Sequence, residues 1–400
     1  MKAFTKDDLK LFQSECLDNK EQRSLAKIAE WYSYWNKAVY VSFSGGKDSS
    51  VLADLCGFWC SLIKATLYLL YVDTGLEYPE IRKHVKLFAD YLRKKYNIEV
   101  VLDIIRPKMR FDEVIKEYGY PIISKEVSDN IEYARKGSKW ALYKLQGKNN
   151  DGTDSKRKAS NKRYAPMVDM DIKISNKCCF VMKKTPTKQY EKDTGRKAIV
   201  ATLAEESSLR ELAWLKNGCN AFDSKRAISQ PMSFWVEQDV LLYIKREQDE
   251  YDREYKRKID TMRDRRIRGG YRRRVRKWLL SEYEFSTRLP LASVYGDIEY
   301  AESPEQMRID DYGIESGNEK LITTGCDRTG CIFCAFGCHL EKKTSRFQRL
   351  KETHPRQYEY CLGGGEYNED GIWQPNKQGL GMRHVFEQLN EIYGEGFIKY

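Results

Sequence analysis

The segment VSFSGGKDSSVL, residues 41–52, has the residue types and order of a phosphate-binding turn. An apolar, β-branched run leads into two glycines, which are followed by a lysine, an aspartate, two serines and a run with helical periodicity. A strand, a glycine turn and a helix form the geometry in which backbone N–H groups converge on an anion. Glycine lets the backbone approach a phosphate without a Cβ, and the lysine can neutralise phosphate charge. We therefore interpret residues 44–49, the glycine loop, as a phosphate site.

Two common nucleotide motifs do not describe the glycine loop. A Walker A sequence needs glycine at position 41 and Ser or Thr after the lysine, whereas Val41 and Asp48 stand there. The dinucleotide pattern G-x-G-x-x-G is not met either. Asp48 is interpreted as a helix N-cap or a magnesium ligand. A plain Gly–Gly turn that starts a helix is the alternative, and the preceding strand and the hydroxyls make it less favoured.

Six of the eleven cysteines are grouped in a way that indicates metal binding. Cys178 and Cys179 are adjacent, and four more stand within residues 326–338 in the order C-x4-C-x2-C-x3-C. In a cytoplasmic chain such density is typical of a metal site rather than of disulfides. Apolar residues surround the C-terminal four, which favours an iron–sulfur cluster, and a structural zinc remains the alternative.

Strand-like and helical patterns alternate from residue 37 onward. AVYVSF, ATLYLLYVDTG, IEVVLDII and KAIVATLA have the composition of buried strands, and helical periodicity separates them. This alternation predicts an α/β fold with a parallel, twisted sheet that carries helices on both faces, followed by a cysteine-rich C-terminal region.

The chain is expected to divide into consecutive regions. Residues 1–36 form N-terminal helices, and residues 37–246 form the nucleotide-binding α/β domain. Within that domain residues 134–175 are lysine-rich and poor in apolar residues, which predicts an inserted basic loop. Residues 247–285 are expected to be a basic helical insertion, and residues 286–400 a C-terminal region with the cluster-binding cysteines.

Composition and charge indicate a soluble cytoplasmic protein with a basic segment. The chain has 41% hydrophobic residues and a net charge of +11, without an apolar run of the roughly 20 residues that span a bilayer and without a secretory signal. Arginines alternate with aromatic residues around Tyr271, so phosphate contacts and base stacking are both available. A solvated, salt-bridged helix is an equally open interpretation. The candidate nucleic-acid-binding residues are Arg265, Arg266, Arg268, Arg272, Arg273, Arg274 and Arg276.

Several segments together resemble one enzyme superfamily, the ATP pyrophosphatases and sulfonucleotide (PAPS and APS) reductases, whose fold is of the adenine nucleotide alpha hydrolase type. SGGKDS resembles their pyrophosphate loop, S-G-G-x-D-S. Six further segments resemble segments of the superfamily and stand in the same order. They are YVDTGLEYPE (71–80), YGYPIISKE (118–126), KCCFVMKKTP (177–186), ATLAEESSLR (201–210), PMSFWVEQDVLLYI (231–244) and LPLASVYGD (289–297).

The resemblance implies an adenine-nucleotide site for ATP, or for PAPS or APS, with Mg²⁺. Lys47, Asp48 and Asp73 are the implied catalytic residues. The implied nucleotide-binding residues are Ser42, Ser44, Gly45, Gly46, Lys47, Asp48, Ser49, Asp73, Thr74, Gly75, Lys125, Glu206 and Arg210.

The resemblance also implies a ligand set for a [4Fe–4S] cluster. In the iron–sulfur sulfonucleotide reductases a Cys-Cys pair and a later C-x-x-C hold one cluster. In this sequence the matching residues are Cys178, Cys179, Cys331 and Cys334, and Cys326 is an alternative ligand. A cluster held by the C-terminal four cysteines alone is the rival assignment.

The sequence departs from the assimilatory reductases in two ways. The mobile tail E-C-G-[LI]-H, which carries their nucleophile, is not found, although Cys361 is a conceivable substitute, and the full SGGKDS is typical of members that split ATP. We therefore expect an ATP pyrophosphatase that activates a site on DNA or tRNA for sulfur incorporation, as in DNA phosphorothioation or tRNA thiolation. A cysteine desulfurase or a reductant protein is the expected partner. A PAPS/APS reductase and a non-catalytic nucleic-acid-binding regulator are the alternatives.

Overall fold

The computed structural model describes residues 4–155, 161–264, 292–301, 320–326, 329–341 and 344–400. Its helices are α1 (Lys6–Gln13), α2 (Leu17–Tyr34), α3 (Lys47–Leu62), α4 (Pro79–Tyr96), α5 (Phe111–Tyr118), α6 (Lys125–Arg135), α7 (Lys139–Gln146), α8 (Thr185–Thr194), α9 (Ser208–Asn217), α10 (Glu237–Asp264), α11 (Ala292–Tyr295), α12 (Arg346–Thr353), α13 (Pro355–Leu362) and α14 (Met382–Tyr393). The strands are β1 (Val39–Ser42), β2 (Leu67–Val72), β3 (Val100–Ile105), β4 (Ile122–Ile123), β5 (Lys197–Ile199), β6 (Asn220–Ala221), β7 (Ile228–Ser229), β8 (Ile298–Tyr300), β9 (Leu321–Thr323), β10 (Ala335–Phe336), β11 (Glu366–Tyr367) and β12 (Trp373–Gln374).

The central sheet has six strands in the order β3-β2-β1-β5-β7-β6, with helices on both sides. β1 pairs in parallel with β2 and with β5, in the registers Val41–Leu69 and Val39–Lys197. The edge strand β6 runs antiparallel to β7, so the sheet is mostly parallel. The predicted α/β fold class is therefore confirmed, and the antiparallel edge is a detail that the sequence did not indicate.

Strand order places a topological switch point at β1. The chain goes from β1 to β2 and β3 on one side, and later returns to β5 on the other side of β1. Open α/β sheets bind ligands in the crevice at the carboxyl end of such a strand. The glycine loop follows β1 at this point.

The helices begin and end where local chemistry dictates. α1 starts with a capping box, in which Thr5 and Asp8 satisfy each other's backbone N–H groups. α4 has Pro79 at its first position and ends at Asn97 in the left-handed conformation. Its buried residues recur every three or four positions, which gives the helix one apolar face toward the core.

The chain forms two compact units, each made of several segments. The first consists of Met1–Tyr71, Tyr78–Ile105 and Tyr190–Thr329, and the second of Val72–Glu77, Arg106–Gln189 and Gly330–Tyr400. Trp31, Trp214 and Trp235 are fully buried in the first unit, and Phe347 and Phe386 in the second. The predicted consecutive domain boundaries remain a prediction.

The segment 134–175, predicted to be an inserted basic loop, includes helical residues in its described part. It contains α7 and a 3₁₀ helix at Lys162–Asp169. The Arg135 guanidinium donates to four backbone carbonyls, those of Met167, Val168, Met170 and Ile172. The Arg135 side chain therefore helps to organise residues 167–172, alongside the buried Met167, Met170 and Ile172, and hydrophobic periodicity gives no sign of its role.

A short π-helix at Phe180–Lys184 precedes α8, directly after Cys178 and Cys179. The predicted helical insertion at 247–285 continues α10 as far as Asp264, and its remaining residues lie outside the described ones. Within the described ranges, no helix combines the length and the apolar character that crossing a bilayer requires.

A buried carboxylate ties α3 to α4 and α10 in the first unit. Asp54 is 1% exposed and accepts hydrogen bonds from Lys95 Nζ at 3.0 and 2.8 Å, Tyr96 at 3.0 Å and Tyr243 at 2.6 Å. Lys95 Nζ also lies 2.6 Å from Glu247. Burial alone would lower the pKa of Lys95, but its acidic and phenolic neighbours, Asp54 foremost, together outweigh burial and raise that pKa.

Replacing Asp54 with alanine should destabilise the fold, because it removes the buried carboxylate that pairs with the Lys95 ammonium. We expect the free energy of unfolding to fall by about 3 kcal/mol, measured by urea denaturation. Asp90, which pairs with Arg93 at the surface, is the control, and Asp90→Ala should change stability by less than about 1 kcal/mol. Equal effects of the two substitutions would contradict a structural role for the Asp54 cluster.

Candidate functional site

The glycine loop joins β1 to α3 in the first unit and has the backbone of an anion site. Gly45 has φ +77°, and Gly46 is the N-cap residue of α3. The Ser44 and Ser49 hydroxyls lie 3.1 Å apart, and Ser49 Oγ also donates to the Gly46 carbonyl at 2.9 Å. The turn therefore presents hydroxyls at the N-terminus of a 16-residue helix, where the helix dipole favours negative charge. Ser42 is half-buried at the end of β1.

Gly45 is required for close packing as well as for its backbone conformation. A Cβ at this position would lie 2.8 Å from Val85 Cγ2 and 2.9 Å from Ile81 Cγ2, both on α4. The loop therefore rests directly on α4, and a larger residue cannot be accommodated without displacing it.

Lys47 is the first residue of α3, and its side chain is buried, with 6% exposure. Its Nζ lies 2.8 Å from a Glu237 carboxylate oxygen at the start of α10. Its backbone N–H donates to the Tyr295 hydroxyl at 3.1 Å, and that hydroxyl lies 2.6 Å from Thr329 Oγ1. Burial raises the pKa of Tyr295 to about 12, so the hydroxyl remains protonated at neutral pH. The sequence did not single out Glu237, Tyr295 or Thr329.

Glu206 and Arg210, two further predicted nucleotide-binding residues, are paired with each other in the first unit. They follow β5, and their side chains form an ion pair across one helical turn. The Glu206 carboxylate also accepts from the Leu203 N–H at 3.2 Å, and Ser207 caps α9 through the Arg210 N–H. The pair is thus positioned by a 3₁₀ turn and a helix start.

The predicted residues Asp73, Thr74 and Gly75 form a tight turn in the second unit, directly after β2. The Asp73 carboxylate accepts from the Gly75 N–H at 3.3 Å and from Arg106 Nε at 3.2 Å. The Thr74 N–H and hydroxyl donate to Glu77, at 3.1 and 2.8 Å. Gly75 has φ +79°, so glycine is favoured there.

Four cysteines of the second unit, Cys178, Cys179, Cys331 and Cys334, line one cavity, here called the cysteine cavity. The other lining residues are Leu76, Phe111, Pro121, Met182 and Lys183. The two sequence-distant cysteine pairs thus come together, with mainly apolar neighbours. The Sγ atoms of the adjacent pair are 4.0 Å apart.

Backbone pairing brings the distant segments of the cysteine cavity together. β4 and β10 pair in parallel, with Ile122 opposite Ala335. The Ile332 N–H donates to the Leu76 carbonyl at 2.8 Å, and the Cys334 N–H donates to the Cys331 carbonyl at 3.0 Å. The C-x-x-C turn is therefore fixed to the turn that follows β2.

Burial and nearby lysines give the thiols of the cysteine cavity different acidities. Burial raises the pKa of Cys331 to about 11 and also raises that of Cys334. The hydrogen bond from Cys178 lowers the pKa of Cys179, and the Lys125 and Lys183 ammonium groups lower it further. Lys125, predicted from the sequence to bind nucleotide, therefore lies beside the cysteine pair.

The remaining candidate ligands lie outside the cysteine cavity. Cys326 is in the first unit, where its Sγ lies 3.2 Å from the Val294 carbonyl oxygen, and Cys338 Sγ lies 3.0 Å from the Ala335 carbonyl. All eleven cysteines are free thiols. In the described part of the chain, no three His, Cys, Asp or Glu side chains are grouped as ligands of one metal ion. The seven candidate nucleic-acid-binding arginines, between 265 and 276, lie outside the described residues.

One protein-family model matches about a quarter of the chain. Residues 38–139 match the phosphoadenosine phosphosulfate reductase domain. This segment contains the glycine loop, the turn after β2 and α6. The match supports the superfamily that the sequence resembles, and with it the general class of ATP-utilising, nucleotide-binding enzymes.

Two uncharacterized proteins of Methanocaldococcus jannaschii are similar to parts of the chain. One is 27% identical over 168 residues, which is 40% of this chain and 38% of the relative. The other is 33% identical over 105 residues, which is 26% of this chain and 20% of the relative. The chain therefore matches well under half the length of these relatives. Among solved structures, NMN synthetase from Francisella tularensis aligns with 57% of this chain and 69% of its own, at 12% identity and a TM-score of 0.27.

Gly45→Ala should destabilise the protein more than the same substitution at a glycine that has a similar φ but open space around it. Gly137 is the control, because its φ is +75° and an added Cβ would meet nothing within 4 Å. Both substitutions force alanine into the left-handed region, at about 1–2 kcal/mol. Gly45→Ala adds the clash with α4, at about 1–3 kcal/mol. Urea denaturation checks the difference, and equal losses of stability would contradict the close packing of the loop.

Proposed function

We propose that this chain is an ATP pyrophosphatase with a [4Fe–4S] cluster that activates a site on nucleic acid for sulfur incorporation. The observation that carries the nucleotide part is the glycine loop at the switch point of the sheet, with Lys47 at the start of α3. Backbone N–H groups, hydroxyls and one ammonium are available there for the phosphates of an adenine nucleotide.

The proposed reaction begins with attack on the α-phosphorus of ATP. An oxygen of the acceptor forms the new P–O bond, the bond between the α-phosphorus and the bridging oxygen breaks, and pyrophosphate leaves with the electron pair. The glycine loop and Lys47 stabilise the charge that develops on the leaving pyrophosphate. Mg²⁺, for which Asp48 offers a carboxylate, would share that charge. A sulfide-level nucleophile from the sulfur-donor partner then attacks the activated atom of the acceptor and forms the new bond to sulfur. The bond from that atom to the AMP oxygen breaks, and AMP leaves with the electron pair.

The cysteine cavity fits an iron–sulfur cluster by the chemistry of its donors. Four thiols from two distant segments line it, and Leu76, Phe111 and Met182 are apolar neighbours of the kind that suit a cluster. Cys178, Cys179, Cys331 and Cys334 would hold the cluster, which would supply a sulfur-transfer centre or a structural brace. Lys183, which lies 3.7 Å from Glu77, contributes positive charge beside the thiols. Zinc is the alternative metal, and Cys326 is the alternative ligand.

A nucleic-acid acceptor is supported by the basic segment alone. Eight arginines stand between residues 263 and 276, and such density gives salt-dependent phosphate binding. A sulfonucleotide reductase is the second candidate function, and the match to the phosphoadenosine phosphosulfate reductase domain favours it. It needs a nucleophilic cysteine, and Cys361, which we considered for that role, is fully buried.

Lys47→Ala should reduce ATP turnover by at least about a hundredfold, because the leaving pyrophosphate loses its ammonium partner. The measurement is pyrophosphate release from ATP, with and without DNA or tRNA, on anaerobically prepared protein. Lys86→Ala is the control, since Lys86 is exposed on α4.

The products separate the two candidate functions in the wild-type protein. Pyrophosphate release that nucleic acid stimulates supports the proposed function, whereas sulfite formed from PAPS or APS supports the reductase. Turnover that survives Lys47→Ala would show that the glycine loop is not the phosphate site.

Cys331→Ser should remove the absorbance near roughly 400 nm that a cluster confers, because it deletes one thiolate ligand. Cys326→Ser is the matched control, since that thiol does not line the cysteine cavity, and it should keep the full absorbance. Iron and zinc analysis accompanies the spectra. A colourless wild-type protein with one zinc would exclude the cluster, and loss of colour only in Cys326→Ser would reverse the ligand assignment.

A further inference from the structure

Two side chains from outside the glycine loop contact the groups of Lys47 that a phosphate would use. Glu237 places a carboxylate oxygen 2.8 Å from Lys47 Nζ, and Tyr295 places its hydroxyl 3.1 Å from the Lys47 N–H. An ammonium and a backbone N–H at a helix start are the donors that hold phosphate oxygens in glycine-rich sites. Each of the two donors therefore has an oxygen partner supplied by the protein itself.

The two partners of the ion pair differ in their freedom to move. The Lys47 side chain is 6% exposed, whereas that of Glu237 is 45% exposed. The Lys47 ammonium is therefore confined, whereas the Glu237 carboxylate can rotate into water. An incoming phosphate can thus replace the carboxylate at Lys47, and repulsion between the two anions favours the exchange.

The position of Glu237 is set by the packing of α10 on α3. Six residues after Glu237, the Tyr243 hydroxyl donates to Asp54 on α3 at 2.6 Å. At the start of α10 the Glu237 N–H donates to Glu205 Oε1 at 2.5 Å. These contacts fix the first turns of α10, so the carboxylate is presented to Lys47 by the fold.

Tyr295 lies over the glycine turn together with Thr329. A Cβ added to Gly46 would be 3.3 Å from the Tyr295 hydroxyl and 3.3 Å from Thr329 Oγ1. The two hydroxyls are 2.6 Å from each other. They occupy the space beside the bare backbone that glycine leaves open for a ligand.

We propose that Glu237 and Tyr295 form an internal phosphate mimic, which occupies the glycine loop in the nucleotide-free protein and is displaced when phosphate binds. This inference rests on the proposed phosphate-binding role of the loop. The mimic lowers the affinity for nucleotide, because binding must first break the Lys47–Glu237 ion pair and the Tyr295 hydrogen bond. It also gives the buried ammonium an anionic partner when no nucleotide is present.

The test is isothermal titration calorimetry of the full chain with inorganic pyrophosphate and, separately, with ATP. Glu237→Gln keeps the size of the side chain and removes its charge, so it should bind both ligands at least about fivefold more tightly than the wild-type protein. Tyr295→Phe removes only the hydroxyl and should bind about threefold more tightly. If Glu237→Gln fails to fold, Tyr295→Phe carries the test alone.

Glu250→Gln is the matched control, because it makes the same charge change at an exposed position of α10, 13 residues or about 20 Å along the helix from Glu237. Its affinity should stay within twofold of the wild-type value. Suppose that the wild-type protein binds, and that folded Glu237→Gln and Tyr295→Phe bind no more tightly than it does. This result overturns the mimic and leaves the nucleotide site intact. If neither the wild-type protein nor any variant binds pyrophosphate or ATP, both the mimic and the proposed function are rejected.

Discussion

A lysine ammonium buried at the start of a helix must be close to an anion, and this requirement shapes the glycine loop and its neighbours. Lys47 is confined by the turn that Gly45 makes against α4 and by the first residues of α3. Desolvation penalises an isolated charge by several kcal/mol, so the surroundings of the lysine have to provide a carboxylate or a phosphate. The sheet fixes the loop at its switch point, and α10 brings the carboxylate. Elements of the first unit that are distant in the sequence thus meet at one cation.

The cysteine cavity follows a different principle, since it gathers thiols rather than charges. Its residues come from three separate stretches of the second unit, joined by the β4–β10 pair and by the hydrogen bond from Ile332 to Leu76. Burial keeps most of these thiols protonated, whereas Cys179 is more acidic because Cys178 donates to it and two lysines lie near. A metal centre there would release protons on assembly, because cysteine binds metals as thiolate.

Local patterns predicted the parts of the structure that depend on neighbouring residues. The strand, glycine turn and helix around Lys47 are encoded within a dozen residues, so the loop was predictable, and so was the mostly parallel sheet. Tyr295 is 248 residues from Lys47 in the sequence, and its contact with the loop depends on tertiary packing that no local pattern reports. The 3₁₀ helix at Lys162–Asp169 was not predicted for a related reason, because Arg135 contacts its last residues through backbone carbonyls.

The guanidinium of Arg135 holds the stretch 167–172 through four of its backbone carbonyls, and this has a consequence for comparing sequences. Four carbonyls that point in different directions need a planar group with several N–H donors, which a lysine ammonium does not provide. We expect chains with this long segment to have arginine at the corresponding position, and chains that lack the segment to accept other residues there. The residue at position 135 then becomes a marker that sorts related sequences into those with and those without the extra helices.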